Sequence, residues 1–149
     1  MRALFVAILL GLPTVGQAHS IWLEAGVGYR SVDVETFQPA FKFGVRGTLP
    51  IHEPVSGFAA LAWRGGVVVD AGVWYDPVPG LADPIGFRAH LGLGMTHHLG
   101  SWGLSGSAAM SYELTRDLRA FGMYTHRLLL LPSIDQAFDI SLGLRVALE

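Results

Sequence analysis

The 149-residue sequence predicts an all-β protein: an eight-stranded antiparallel up-and-down transmembrane β-barrel preceded by a signal peptide. The first observation is that bulky apolar residues alternate with small or polar residues along eight segments, which is the period of a β-strand with two different faces. The second is that charged residues make up only 15% of the chain, against about 25% in soluble domains. The third is that no segment after residue 18 reaches about eighteen uninterrupted apolar residues, so a transmembrane helix is not expected there.

Residues 1–18 have the parts of a secretory signal peptide. An arginine at the second position precedes the apolar run Ala3–Leu12, and Gly16–Ala18 forms a small-x-small cleavage site. A retained anchor helix is the alternative, but the apolar run is shorter than a bilayer span and Pro13 follows it. The prediction is therefore an exported chain whose barrel domain covers residues 19–149.

The first four segments each place apolar side chains on one face of a strand. The third segment is the weakest, because small and apolar residues occupy both of its faces. A three-residue turn at Arg64–Gly66 is predicted between the third and fourth segments, since glycine suits its left-handed position. The apolar faces comprise Ile21, Leu23, Ala25, Val27 and Tyr29; Phe41, Phe43 and Val45; Ala59, Leu61 and Trp63; and Val67, Val69, Ala71, Val73 and Tyr75.

The last four segments continue the pattern, with one ambiguous member. The seventh, about Arg119 to Leu128, is assigned Phe121 and Met123 on its apolar face, with Gly122, Tyr124 and His126 opposite. A four-residue loop, His97–Gly100, is predicted between the fifth and sixth segments. The other apolar faces comprise Ile85, Phe87, Ala89, Leu91, Leu93 and Met95; Trp102, Leu104, Gly106, Ala108, Met110 and Tyr112; and Phe138, Ile140, Leu142, Leu144, Val146 and Leu148.

The composition of the two faces indicates which medium each one meets. In a soluble barrel of the lipocalin kind the apolar set fills the interior and the other set is solvated. Here the other set is mostly glycine, serine and alanine with few charges, too sparse for a solvated surface. Glycine weakens a strand, but it suits a narrow lumen in which long charged side chains need small neighbours. The bulky apolar set is therefore predicted to face lipid.

Aromatic residues lie mainly near the ends of these segments. Rings with polar tips settle at the headgroup level of a membrane, so this placement predicts girdles above and below an aliphatic band. The alternative is that aromatic residues are simply good strand formers. The predicted membrane-interface aromatics are Tyr29, Phe41, Trp63, Tyr75, Phe87, Trp102, Tyr112 and Phe138.

The opposite faces carry the charges of the predicted lumen. Because an unpaired buried charge costs several kcal/mol, these groups are expected to pair across the barrel. Eight strands enclose only enough space for side chains, which favours a structural plug; a narrow ion or small-solute pathway is the alternative. The predicted lumen charge network comprises Glu24, Arg30, Lys42, Arg46, Asp70, Asp76, Arg88, His90, Asp139 and Arg145.

The pattern resembles the small eight-stranded outer-membrane proteins of diderm bacteria, of the OmpA-barrel and OmpX-like kind. The resemblance covers residues 19–149 and implies a monomer in the outer membrane, with membrane lipids, lipopolysaccharide and the outer-membrane assembly machinery as partners. Members usually end on an aromatic residue, whereas this chain ends at Glu149, so either the assembly signal or the true terminus differs. The two-faced strands, the aromatic girdles and the missing catalytic motif predict a structural role in envelope integrity. A narrow channel, a conduit for small apolar solutes and a lipid-A-modifying hydrolase are the alternatives.

Other chemistry finds little support in the sequence. A formal net charge of −2 without a basic block predicts no nucleic-acid binding. Adjacent His97 and His98 rarely converge on one metal ion, so a solvated loop is expected there and no metal or other cofactor. Lipid-A deacylases of this fold carry a His-x-Ser pair, which is missing. The nearest set, His126, Ser133 and Asp135, is split by the segment 127–132, so no catalytic residue is predicted.

Overall fold

The structure, a computed structural model, describes residues 19–31, 37–76, 86–132 and 134–148. Side chains are described for residues 20–29, 39–76, 86–132 and 134–147. The predicted signal peptide lies outside these ranges and stays a prediction. Eight strands run over His19–Ser31 (β1), Phe37–His52 (β2), Val55–Trp63 (β3), Val67–Tyr75 (β4), Phe87–His98 (β5), Ser101–Glu113 (β6), Leu118–Leu131 (β7) and Asp135–Leu148 (β8).

The strands form a closed antiparallel barrel in sequence order. Each strand pairs with its sequence neighbours, and β1 closes the barrel against β8 in a register that sets Leu23 opposite Leu144. Closure leaves no free sheet edge along the described strands, which satisfies the backbone without water. The predicted eight-stranded up-and-down barrel is confirmed. Within the described ranges, no helix is long and apolar enough to cross a membrane.

The barrel has two ends that are distinguished by their connections. At the terminal end lie the start of β1, the end of β8 and the links β2–β3, β4–β5 and β6–β7. At the opposite end lie the β1–β2, β3–β4, β5–β6 and β7–β8 links. The β3–β4 link is the predicted three-residue turn at Arg64–Gly66, with Gly65 at φ 65°.

Apolar side chains lie outside and charged ones inside, the reverse of a soluble protein. Phe41 is 81% exposed and Leu93 70% exposed, whereas Lys42 is 2% and Arg46 1% exposed. In β6 exposure alternates with every residue, from buried Ser101 to exposed Trp102 and onward. Where side chains are described, the predicted facing is confirmed in β1 to β6 and in β8, including the weak third segment. Arg88 is the exception, because it lies at the start of β5 and is exposed, and the side chains of Ile85 and Leu148 lie outside the described residues. A wall of exposed leucine, valine and aromatic side chains needs hydrocarbon around it.

The predicted facing of β7 is wrong. Phe121 and Met123 lie in the interior, 4% and 3% exposed, and Tyr124 faces outward at 44%. The strand also continues to Leu131, so the segment predicted as a connection is part of the sheet. The physical reason is Arg127, which is fully buried between two carboxylates; moving β7 by one residue would turn this guanidinium into lipid.

The predicted four-residue loop between β5 and β6 is also wrong. His97 and His98 continue the ladder, pairing with Trp102 and Ser101. Only Leu99 and Gly100 form the turn, with φ of 50° and 81°. Two consecutive positive φ angles give a tight hairpin whose twist matches that of the strands.

Candidate functional site

The interior of the barrel is filled by two layers of side chains. The aromatic layer, near the terminal end, consists of Trp22, Phe58, Trp74, His90 and Phe121. The ionic layer, toward the opposite end, consists of Glu24, Lys42, Arg64, Asp70, Arg127 and Asp139. Any solute crossing the barrel would have to pass both layers.

The aromatic layer is built around Trp22, which is completely buried. Its ring centroid lies 4.8 Å from that of Phe121, 5.2 Å from His90 and 5.3 Å from Trp74, and all three pairs meet edge to face. Phe58 extends the layer with its ring 5.9 Å from Trp74. These are the separations of favourable aromatic pairs in a packed core, and they leave side chains in contact across the lumen.

Arg127 is the hub of the ionic layer. Its Nε and Nη2 donate to the two carboxylate oxygens of Asp70 at 3.2 and 2.6 Å, and its Nη1 donates to Asp139. Asp139 also lies 2.6 Å from Arg64 Nε and 3.7 Å from Lys42 Nζ. A guanidinium bridging two carboxylates combines fork geometry with charge, which offsets the cost of burying all three groups.

The network continues to Glu24 on β1. Lys42 Nζ lies 3.0 Å from Glu24 Oε1, and Ser141 Oγ donates to Oε2 at 3.2 Å. Three carboxylates therefore face three cations within this layer, in a chain that links β1, β2, β4, β7 and β8 with the β3–β4 turn. Arg64 reaches the layer from that turn and covers it at the opposite end.

Arg46 joins the two layers. Its guanidinium carbon lies 4.6 Å from the ring centroid of Phe58 and 4.7 Å from that of Trp74, while the side chain is 1% exposed. Its Nε and Nη1 have no hydrogen-bond partner among the described residues. Two aromatic faces thus contact this buried cation, and the charges of Glu24 and Asp70 also act on it from the ionic layer.

Two glycines make room for these groups. At Gly28 a Cβ atom would overlap the Asp139 carboxylate and the Arg64 guanidinium. At Gly92 it would lie 2.5 Å from the Trp74 ring. Small residues on the inner face are therefore required by the bulk of the side chains that cross the lumen.

A third group of contacts closes the terminal end. Asp76, just after β4, pairs with His90 Nδ1, and His90 Nε2 lies 2.8 Å from Ser111 Oγ. Arg145 donates from Nε to Ser20 Oγ at 3.1 Å and lies 4.9 Å above the Trp22 ring. Burial opposes ionisation of Asp76, but the hydrogen bond and charge of His90 outweigh it, so the pKa of this carboxyl lies below its ordinary value.

The predicted lumen charges fall into four groups in the structure. Glu24, Lys42, Arg46, Asp70, His90 and Asp139 are buried in the interior. Asp76 and Arg145 are half-buried at the terminal end, and Arg88 is exposed there. The side chain of Arg30 lies outside the described residues.

Sequence reasoning missed Arg64 and Arg127, which were assigned to a turn and to a connection. A signal for Arg127 exists in the sequence, because an arginine within a run of leucines on a membrane strand must face the lumen. The sequence does not predict the aromatic layer, since only His90 of its members is predicted in the lumen network and Phe121 is predicted on the lipid-facing side.

The predicted interface aromatics lie on the outer wall in two groups. At the opposite end lie Tyr29, Phe41, Trp63, Trp102 and Phe138, and at the terminal end lie Tyr75, Phe87 and Tyr112. Within these groups Tyr29 stacks on Phe138 with ring centroids 5.4 Å apart, and Phe87 lies 4.8 Å from Tyr112. Their separation into two bands is the arrangement expected of membrane girdles.

The adjacent histidines of β5 point in opposite directions. His97 packs outside against Trp102 at 4.6 Å between centroids, whereas His98 is buried with Nε2 3.3 Å from the Arg64 carbonyl oxygen. Neighbouring strand residues alternate between faces, so this pair cannot share one metal ion. Across the part of the chain that the structure describes, no group of three His, Cys, Asp or Glu side chains is placed to hold a metal.

Of the residues considered for hydrolysis, only His126 is described on the outer wall, whereas Asp135 has the inward-facing parity of β8. His126 is exposed on β7, with its ring 6.4 Å from that of Tyr124. Asp135, at the start of β8, accepts a hydrogen bond from the Gln136 amide at 2.7 Å. Ser133 lies outside the described residues.

The closed sheet, the apolar wall and the charged interior together define an eight-stranded transmembrane β-barrel. Its structural neighbours are small outer-membrane barrels. Neisserial surface protein A superposes with a TM-score of 0.70 at 15% identity, covering 87% of this chain and 98% of that one. OprG of Pseudomonas aeruginosa gives 0.60 at 12% identity, covering 89% and 96%. The N-terminal barrel domain of P. aeruginosa OprF gives 0.60 at 13% identity, covering 87% and 97%.

These likenesses extend over nearly the whole length of each neighbour and establish the fold. No protein-family model and no curated protein matches the sequence.

Proposed function

We propose that the protein is a monomeric structural component of the outer membrane of a diderm bacterium, with a sealed lumen and no catalytic activity. Its apolar wall contacts membrane lipids and lipopolysaccharide, and the outer-membrane assembly machinery inserts it after export. The outer-membrane barrels among its structural neighbours support this location. A barrel of this kind contributes to envelope integrity by occupying and ordering the membrane rather than by moving solutes.

The observation that carries the proposal is the aromatic layer. Trp22, Trp74 and Phe121 are 0%, 1% and 4% exposed and lie in ring-to-ring contact inside the barrel. A hydrated ion would have to displace these rings and then break the bridge from Arg127 to Asp70 and Asp139. Both steps cost free energy, because the first removes packing contacts between the rings and the second leaves buried charges without their partners.

Conductance of the purified, refolded protein in planar lipid bilayers tests this proposal. We expect no discrete current steps, because the two layers leave no continuous water path. A general porin inserted in the same bilayers is the positive control. Discrete steps that change in Glu24→Ala, a variant altering the ionic layer, would instead assign the protein to narrow channels.

The absence of catalysis has its own measurement. We expect the lipid A of cells that overproduce the protein to keep the mass spectrum of control cells. A loss of acyl chains that depends on His126 would contradict the proposal, because this exposed histidine lies on the lipid-facing wall. Barrel folding in those cells is checked by the migration of unboiled samples in detergent gels.

A further inference from the structure

The outer wall carries a groove where β8, β1, β2 and β3 lie side by side. Its volume is about 640 Å³. Apolar side chains of these four strands and Val67 at the start of β4 line it, including Leu23, Ala25, Phe43, Leu61, Trp63 and Leu142. The groove is continuous with the lipid-facing surface, so hydrocarbon, not water, is the medium at its mouth.

The backbone and one small side chain produce the concavity. Ala25 stands in register between Phe43 on β2 and Leu142 on β8, so a methyl group forms the floor between two large neighbours. Behind the floor, a Cβ atom at Gly44 would lie 2.6 Å from the Ala62 Cβ, and one at Gly143 would lie 2.8 Å from the Phe121 ring. The strands therefore lie close against the packed interior here.

The lining is almost entirely apolar, and Trp63 contributes an indole ring with a single N–H donor. Glu24 borders the groove, but its side chain is 1% exposed and its carboxylate is bound to Lys42 inside the barrel. Because the lining offers so few hydrogen-bonding groups, shape and dispersion dominate the selection of the occupant. A flexible alkyl chain can follow the concave floor, whereas the convex wall of a second barrel would meet only the rims and leave a void.

We propose that this groove holds one acyl chain of a membrane lipid, which exchanges more slowly than the lipids around the rest of the barrel. The chain lies over Ala25 between the Phe43–Trp63 side and the Leu142 side. This inference requires the transmembrane barrel but not a sealed lumen, so it stands or falls separately from the proposed function.

Native mass spectrometry of the protein extracted from phospholipid bilayers tests the site. Ala25→Phe fills the floor of the groove, and Ala108→Phe places the same ring on the exposed face of β6, on the far side of the barrel. We expect the wild type and Ala108→Phe to retain one phospholipid after detergent exchange. In Ala25→Phe we expect the fraction of protein that retains a phospholipid to fall about tenfold. This is the change that a loss of roughly 1.4 kcal/mol in binding free energy produces.

Heat-dependent gel migration verifies that both variants fold, and Ala25→Leu replaces Ala25→Phe if the larger side chain prevents folding. Equal retention in the two variants would overturn the proposal, as would a wild type that keeps no lipid. A lipid-free dimer that Ala25→Phe dissociates would overturn it too and assign the groove to a second copy of the chain.

Discussion

Replacing Arg127 by methionine removes the hub of the ionic layer and keeps a side chain of similar length. Asp70 then loses both of its hydrogen bonds from the guanidinium, and Asp139 keeps only Arg64 and Lys42. Breaking a buried ion pair from one side costs about 3–5 kcal/mol, because a desolvated charge is left uncompensated. We expect a loss of that size in the free energy of unfolding.

Urea-induced unfolding from lipid vesicles, followed by tryptophan fluorescence, measures the effect. The matched control is Arg119→Met at the rim, where the guanidinium pairs with Glu113 and the latter is 45% exposed. The Arg119 side chain itself is 12% exposed, but a pair whose carboxylate is this open to water contributes at most about 1 kcal/mol. Adding Asp70→Asn to Arg127→Met should recover part of the loss, since the orphaned charge is gone. Equal effects of the two arginine variants would refute the assignment of Arg127 as the hub.

Two further predictions concern packing and pH. Gly92→Ala should lower the free energy of unfolding by about 1–3 kcal/mol in the same assay, because the added Cβ would press on the Trp74 ring. The control is Gly47→Ala, whose Cβ meets nothing within 4 Å and which should change that free energy by no more than about 0.5 kcal/mol. Equal losses in the two variants would contradict the packed aromatic layer. The lowered pKa of Asp76 means that the folded state holds this proton more weakly than the unfolded state, so its contribution to stability is present above the ordinary carboxyl pKa and is lost as the pH falls through the lowered value. In Asp76→Asn the free energy of unfolding should therefore depend less on pH in the acidic range. An unchanged dependence would show that the pKa of Asp76 is the same in the folded and unfolded states.

Most of the fold could be predicted because a period of two is a local property. In β5 the sequence from Phe87 to Thr96 alternates without a break, so its facing needs no knowledge of other strands. β7 is different, since Phe121 and Met123 on one face compete with Tyr124, Leu128 and Leu130 on the other. Carboxylates on β4 and β8 decide its facing by pairing with Arg127, and such long-range partners are invisible to a local pattern.

The sequence predicts that the interior holds paired charges, but it does not predict which side chains meet there or at what height. Few charges on a small-residue face indicated a paired interior, and Glu24, Lys42 and Asp139 do pair there. Arg64 reaches the lumen from a turn because β1 and β2 extend past the end of β3. The stagger of the strands around the barrel sets the length of that extension, and a local sequence pattern does not reveal it. The aromatic layer arises likewise from five different strands meeting at one height.

The central claim is that the apolar face of these strands contacts acyl chains while the other face lines the interior. The native tryptophans report on it directly: Trp63 and Trp102 are 48% and 53% exposed, whereas Trp22 and Trp74 are buried in the aromatic layer. In bilayers of phospholipid brominated on its acyl chains, we expect strong quenching of wild-type fluorescence and weak quenching of the double variant Trp63→Phe/Trp102→Phe, which keeps only the interior pair. Undiminished quenching in that folded variant would place the interior pair against lipid and contradict the account.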